Sequence, residues 1–162
     1  MSRLVLGIDP GMTGAIAAID LDTHELVSVI DTPVAGGQIA VPLLATHLVA
    51  TQAIGRIVSV VIERVSSMPG QGVASTFKFG RTLGTVEGFY GATLPVLMVE
   101  PQAWKRTFAL VGKDKDAARL AAIQRWPAAA GLVARKKDGG RADAALIALH
   151  HAQTGVFGQV AS

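Results

Sequence analysis

Leu4-Val5-Leu6-Gly7-Ile8-Asp9-Pro10-Gly11-Met12-Thr13-Gly14 places one carboxylate at the end of an apolar run and follows it at once with a turn. Leu4, Val5, Leu6 and Ile8 have the short, continuous apolar character of a buried strand. Pro10, Gly11 and Gly14 supply turn geometry and rule out a helix. Asp9 is therefore expected at a strand terminus, where a carboxylate is costly to bury unless something pairs with it. The stretch alone leaves three readings open: an Asx-type turn in which the carboxylate accepts from the backbone N–H of Gly11 or Met12, a divalent-metal ligand, or a phosphate-cradling loop.

Outward from this stretch, Ala15 to Ile19 and Glu25 to Ile30 are apolar runs separated by the turn Asp20-Leu21-Asp22-Thr23. With the first run they predict a three-stranded antiparallel meander. Thr32 to Gly37 reads as a loop and Ile39 to Ile54 as a helix, with Pro42 tolerated in its first turn. Ile57 to Ile62 is rich in β-branched residues and ends at Glu63, so a second strand delivers an acid, again followed by a Pro and Gly loop, Met68 to Gly72. Val73 to Ala92 predicts a long helix carrying Gly80, Gly84, Gly88 and Gly91. Each such glycine costs a helix about 1 kcal/mol relative to Ala, so one face is expected to need close backbone approach, either to the sheet or to a partner subunit.

Val96 to Val99 predicts a fifth strand, Gln102 to Leu110 a short helix with Trp104 inward and Lys105 and Arg106 outward, and Lys113 to Trp126 a further helix. Residues 128 to 140 read as a basic loop outside the core. Arg141 to Gln153 closes the domain as a helix, with Ala142, Ala145, Leu146 and Leu149 on one stripe and Asp143 in its first turn. The order implies an α/β fold: a five-stranded mixed sheet, antiparallel meander plus parallel strands, flanked by helices. Right-handed crossovers then set the fourth strand beside the first, bringing Asp9 and Glu63 together, with Asp143 and Asp138 able to join them.

The chain has 162 residues and a mass of 16.8 kDa, which predicts one domain, residues 1–153, with a flexible tail over 154–162. Cysteine is absent, which excludes disulfides, zinc thiolates and thiol nucleophiles. Mean hydropathy is +0.42, yet no apolar run approaches the roughly 18 residues of a membrane span. The Met-Ser-Arg opening leads straight into a strand, so no signal peptide is expected and a cytoplasmic location is. Net charge is only +3, but its distribution is uneven. Residues 1–63 contain Arg3 and Arg56 as their only Lys or Arg, whereas Lys105 to Arg141 is crowded with basic residues opposed by Asp114, Asp116 and Asp138. That asymmetry favours a polyanionic partner.

Three or four converging carboxylates repel one another unless a cation holds them. Oxygen-only ligands select hard cations, Mg²⁺ or Mn²⁺, and a pair of such ions suits phosphodiester hydrolysis. Glu100 ends the fifth strand, out of easy reach of Asp9; Glu87 reads as a surface residue, and His150 and His151 as packing or capping residues.

Gly7-Ile8-Asp9-Pro10-Gly11, Val61-Ile62-Glu63 and Ala142-Asp143-Ala144-Ala145-Leu146-Ile147-Ala148 resemble, in the same order, the three acidic signatures of RuvC-type Holliday junction resolvases, which have the ribonuclease H fold. Trp104-Lys105-Arg106, Lys136-Lys137-Asp138 and Gly140-Arg141-Ala142-Asp143 are similar to the chloroplast branch of that family and its bacterial and phage relatives. The resemblance implies a homodimer that nicks a four-way DNA junction symmetrically, with Asp9, Glu63, Asp138 and Asp143 holding two Mg²⁺ ions for which Mn²⁺ substitutes. It implies no nucleotide cofactor, no membrane, and a bacterial or phage protein acting at the nucleoid. Lys105 and either Lys113 or Lys115 would meet the scissile phosphate, Lys115 within the catalytic set. The loop carrying Gly70 and Gln71 would reach the junction centre, with Gln71 reading a base. Lys78, Arg81, Lys136, Lys137 and Arg141 would contact DNA. The chain departs from bacterial RuvC proper, which carries an acid or His where this sequence has Gly140. Rival expectations are another ribonuclease H-like nuclease acting on branched DNA or RNA hybrids, a non-catalytic binder with the same fold, and one lobe of an actin-like or sugar-kinase-like ATPase.

Overall fold

The structure is a computed structural model, and it describes residues 1–155. The opening apolar run forms β1 (Ser2–Asp9), the centre of a five-stranded sheet. β2 (Ala15–Asp20) and β3 (Leu26–Asp31) complete the antiparallel meander on one side of it. A two-residue hairpin follows, β4 (Val34–Ala35) and β5 (Gln38–Ile39), turned by Gly36 and Gly37 with φ of 57° and 72°. From sequence, Thr32 to Gly37 reads as loop and Ile39 as the start of the helix; the hairpin escapes that reading because strands of two residues carry no periodicity, and the helix begins only at Val41.

α1 (Val41–Ile54) has its proline in the first turn and leads into β6 (Gly55–Glu63), which pairs parallel with β1. α2 (Val73–Gly91) then crosses to β7 (Val96–Val99), parallel to β6, so the strand order is β3-β2-β1-β6-β7. Two parallel crossovers after a meander produce this mixed sheet, with the fourth long strand beside the first as expected.

α3 (Pro101–Thr107), α4 (Asp116–Arg125) and α5 (Gly139–Thr154) follow, with 3₁₀ segments at Pro127–Leu132 and Lys136–Asp138 between α4 and α5. α5 begins two residues earlier than its apolar stripe suggests, so Asp143 falls in its second turn. Residues 136–138 are a 3₁₀ turn that leaves Lys136 and Lys137 exposed and sends Asp138 inward to 1 % exposure.

Alternation along β1 sorts the two cores. Leu4, Leu6 and Ile8 face α1 and α2, packing with Leu44, Val86 and Tyr90. Val5 faces the other side, where α5 lies over the sheet with Trp104, Trp126 and the buried alanines of α5. Gly7 is on that second side, and a Cβ there would stand 2.1 Å from the Ala144 carbonyl oxygen. Only glycine lets α5 settle this close to β1, and that contact sets the height of α5 above the strand ends.

Gly80, Gly84 and Gly88 on α2 have nothing within 4 Å of the position a Cβ would take. This excludes packing against the sheet as the reason for the glycine-rich face. Thr154 ends α5 with helical geometry; the rest of the expected tail, residues 156–162, lies outside the described residues.

Candidate active site

Asp9 and Glu63 leave the sheet at the same level. β1 and β6 run parallel in register up to Ile8 opposite Ile62, so each acid is the next residue at a carboxyl strand end. Side-chain alternation puts Asp9 on the face of Val5 and Gly7, and Glu63 on the face of Val61, which is the α5 face. The turn after Asp9 closes tightly, with Gly14 N–H donating to the Gly11 carbonyl at 3.0 Å. Asp143 arrives from above on α5. A Cβ on Gly140 would meet the Thr13 carbonyl oxygen at 2.9 Å and Asp9 Oδ2 at 3.2 Å, so the first turn of α5 rests directly on the Asp9 loop.

The three carboxylates sense one another. Burial, then the Glu63 charge, pushes Asp9 up to about 6, with Lys105 pulling the other way. Burial, then Asp9 and Glu63, pushes Asp143 up to about 7, again opposed by Lys105. Lys105 is thus half-buried toward the acids, not outward as the helix pattern suggested; its Nζ lies 5.4 Å from the centroid of the Trp104 ring. The buried Trp104 indole N–H donates to Glu63 Oε2 at 2.6 Å. Sequence reading placed Trp104 inward but missed this bond. The available signal was that a buried indole N–H needs an acceptor, and Glu63 ends the strand beside the one that feeds α3.

These groups open into a cleft of about 770 Å³. Asp9, Asp143, Trp104 and Gly140 line its inner part, and Lys105, Lys113, Lys115, Lys136 and Lys137 line it as well. Five of the expected DNA-contacting lysines therefore share one cleft with Asp9 and Asp143. Among the described residues, no three acids or histidines are drawn into ready-made coordination, and Glu63 Oε2 is committed to Trp104. The donor chemistry nevertheless fits a hard divalent cation: three carboxylates from three elements, Asp9 and Asp143 half-buried, with Lys105 the cation that offsets them electrostatically.

Asp138 does not join the three. Its Oδ2 accepts the Arg135 backbone N–H at 2.9 Å and its Oδ1 accepts Arg135 Nη2 at 2.8 Å, while Arg141 Nε lies 3.9 Å from Oδ1. The hydrogen-bonding Arg135 guanidinium holds its carboxyl below the usual range despite burial. Loop composition could not reveal this, because the phase of the 3₁₀ turn decides which of Lys136, Lys137 and Asp138 points inward. Arg141, expected on DNA, is engaged with Asp31 at 2.7 and 2.9 Å.

Other expected contacts lie elsewhere. Lys78 and Arg81 line a separate groove between α2 and the β4–β5 hairpin, where Arg81 donates to Gln38. Gln71 is folded onto its own loop, its Oε1 accepting the Met68 N–H at 3.1 Å and its Nε2 donating to Ser75 at 3.1 Å. Gly70, at φ 82°, shapes that exposed loop. Glu100 pairs with Arg64 at 3.1 Å, and His150 Nδ1 meets Thr107 Oγ1 at 2.7 Å. No helix of the described residues is long and apolar enough to cross a membrane.

A mixed sheet in the order β3-β2-β1-β6-β7, with acids at the ends of β1 and β6 and on the helix above them, defines an α/β domain of the ribonuclease H-like class. Among solved structures, the chain is similar to Thermus thermophilus RuvC in complex with a Holliday junction substrate, at 21 % identity and a TM-score of 0.64 over 94 % of this chain and 96 % of that one. It is also similar to T. thermophilus RuvC by itself, at 23 % identity and 0.61 over 92 % and 93 %. The yeast mitochondrial Holliday junction resolvase Ydc2 matches at 18 % identity and 0.50 over 92 % and 77 %. No protein-family model matches the sequence, and no curated protein matches it.

Proposed function

We propose that this chain is a structure-selective endonuclease that resolves four-way DNA junctions by metal-dependent phosphodiester hydrolysis, with residues 1–153 acting as one nuclease domain. What carries the reading is the convergence of Asp9, Glu63 and Asp143, the first and last of them lining a lysine-rich cleft, on a fold shared along its length with a protein solved on a Holliday junction.

Asp9, Glu63 and Asp143 are the residues that would hold Mg²⁺, or Mn²⁺ in its place. The bound ions would activate a water and stabilise the leaving oxygen of the cleaved phosphodiester. Trp104 holds one Glu63 oxygen by the indole hydrogen bond and so fixes the orientation of that carboxylate. Lys105, held over the Trp104 face, is the basic residue whose charge acts on both Asp9 and Asp143 and is suited to the scissile phosphate. Lys113, Lys115, Lys136 and Lys137 attract and align the flanking backbone, an interaction that weakens with salt.

Symmetric nicking needs two copies, and α2 offers a seam. Val73 and Phe77 are 88 % and 72 % exposed, and they continue into Gly80, Gly84 and Gly88 along one face with open space above it. A two-fold axis through such a face would let two α2 helices cross at backbone distance, burying both apolar ends on the partner.

The test is a Mg²⁺-dependent cleavage assay on four-way junctions, forks, linear duplex and RNA–DNA hybrids, with Asp9→Asn as the control. The junction should be cut in preference to the other substrates, and Asp9→Asn should still bind it without cutting. Equal cleavage of linear duplex overturns the junction assignment, and full activity of Asp9→Asn overturns the mechanism.

A further inference from the structure

We infer that Asp138 is not a metal ligand but a positioning residue: the chain Arg135–Asp138–Arg141–Asp31 locks the start of α5 to the sheet edge and thereby sets where Asp143 stands. The inference rests on the nuclease reading only in taking Asp143 to be an ion ligand.

Both oxygens of Asp138 are already used. Oδ2 accepts from the Arg135 backbone N–H at 2.9 Å and from its Nε at 3.1 Å, and Oδ1 accepts from Nη2 at 2.8 Å and Nε at 3.1 Å. The residue is 1 % exposed. Lys136 and Lys137 before it and Gly139 and Gly140 after it line the cleft, whereas Asp138 does not. Swinging it to the ions would strip a buried carboxylate of its donors and unwind the turn that presents the two lysines.

What the network does instead follows from where it ends. Arg141 Nε and Nη2 reach Asp31 Oδ1 and Oδ2 at 2.7 and 2.9 Å, and its Nη1 holds the Leu132 carbonyl at 3.2 Å. Asp31 lies opposite Ala15, and Ala15 lies opposite Asp9, so Arg141 fastens α5 to the row of the sheet that carries the first acid. Between the two arginines, Gly140 sits so close to Thr13 and Asp9 that a single added carbon would clash. Asp143 is two residues beyond Arg141 on the same helix. A helix start held from both sides at such close range fixes the height and rotation of Asp143 over Asp9.

The same contacts account for a glycine at position 140, where the backbone is pressed onto the Asp9 loop and a Cβ would stand 2.9 Å from the Thr13 carbonyl oxygen.

The experiment is a calorimetric Mn²⁺ titration of the folded protein, with junction cleavage measured alongside, on wild type, Asp138→Asn, Arg135→Ala and the double variant. Arg135 has a half-exposed side chain, so Arg135→Ala opens the clasp from its solvent side and serves if Asp138→Asn does not fold. Each single variant should bind the same number of ions as wild type about 10- to 100-fold more weakly, the range seen when partners that orient a ligand are removed. Saturating Mn²⁺ should restore cleavage, and the double variant should be no worse than either single one, since both open the same clasp. Loss of one bound ion in Asp138→Asn, or wild-type Mn²⁺ affinity in Arg135→Ala, overturns the inference. Absence of cleavage by the wild type would count against the nuclease reading alone, because the Mn²⁺ titration reads the clasp without it.

Discussion

Replacing Asp143 by Asn should make the metal-free protein more stable at pH 8 and leave it unchanged at pH 4. Burial and the charges of Asp9 and Glu63 push the Asp143 carboxyl up to about 7, from an ordinary value near 3.8. A carboxyl raised in the folded state keeps its proton where the unfolded chain has lost it. Stability is therefore full below about pH 4 and falls as pH rises toward 7. Three units correspond to about 4 kcal/mol. That figure is an upper bound, because Asp9, itself raised to about 6, titrates with Asp143 as a coupled pair. A gain of about 2–4 kcal/mol for the Asn variant at pH 8 is the working magnitude, and at about 2–4 °C per kcal/mol it raises the melting temperature by about 4–16 °C. His47, His150 and His151 are lowered by burial and push the other way, adding stability as pH rises. The difference between variant and wild type isolates Asp143 from them. The assay is thermal unfolding in chelator from pH 4 to 8, repeated with Mg²⁺ at pH 8, where the ion should stabilise wild type far more than the variant. A melting temperature of Asp143→Asn equal to or below wild type at pH 8 in chelator would refute the reasoning.

Trp104→Phe should preserve the packing of α3 while releasing Glu63, lowering cleavage about 10- to 100-fold with junction affinity within about twofold; unchanged cleavage would show that the indole hydrogen bond does not orient Glu63. Gly84→Leu should leave circular dichroism and melting temperature near wild type, since the site is open in the monomer, and should yield a monomer in sedimentation velocity; a dimer that survives it places the seam elsewhere.

The strands and their acids were legible because the signals are local. β-branched and apolar runs stop abruptly at Asp9 and Glu63, and a meander followed by crossovers allows few sheet orders. The length of α2 and its glycines were equally plain, but whether those glycines met the sheet or open space depends on how the helix is rotated. The β4–β5 hairpin escaped notice because two-residue strands show no alternation, and the inward turn of Lys105 because a seven-residue helix does not reveal its own phase.

By itself the sequence determined a mixed α/β sheet with one acid at the end of each of its two central parallel strands and a third on the closing helix. Tertiary structure alone decided which groups keep them company. It brought Asp143 onto Asp9 through the glycine contacts at Gly7 and Gly140, gave Glu63 to the Trp104 indole, and withdrew Asp138 into the arms of Arg135 and Arg141. The physical reason is that a carboxylate's partner is set by helix height and turn phase, which arise from packing between elements far apart in the chain, whereas strand character is set by neighbours along it.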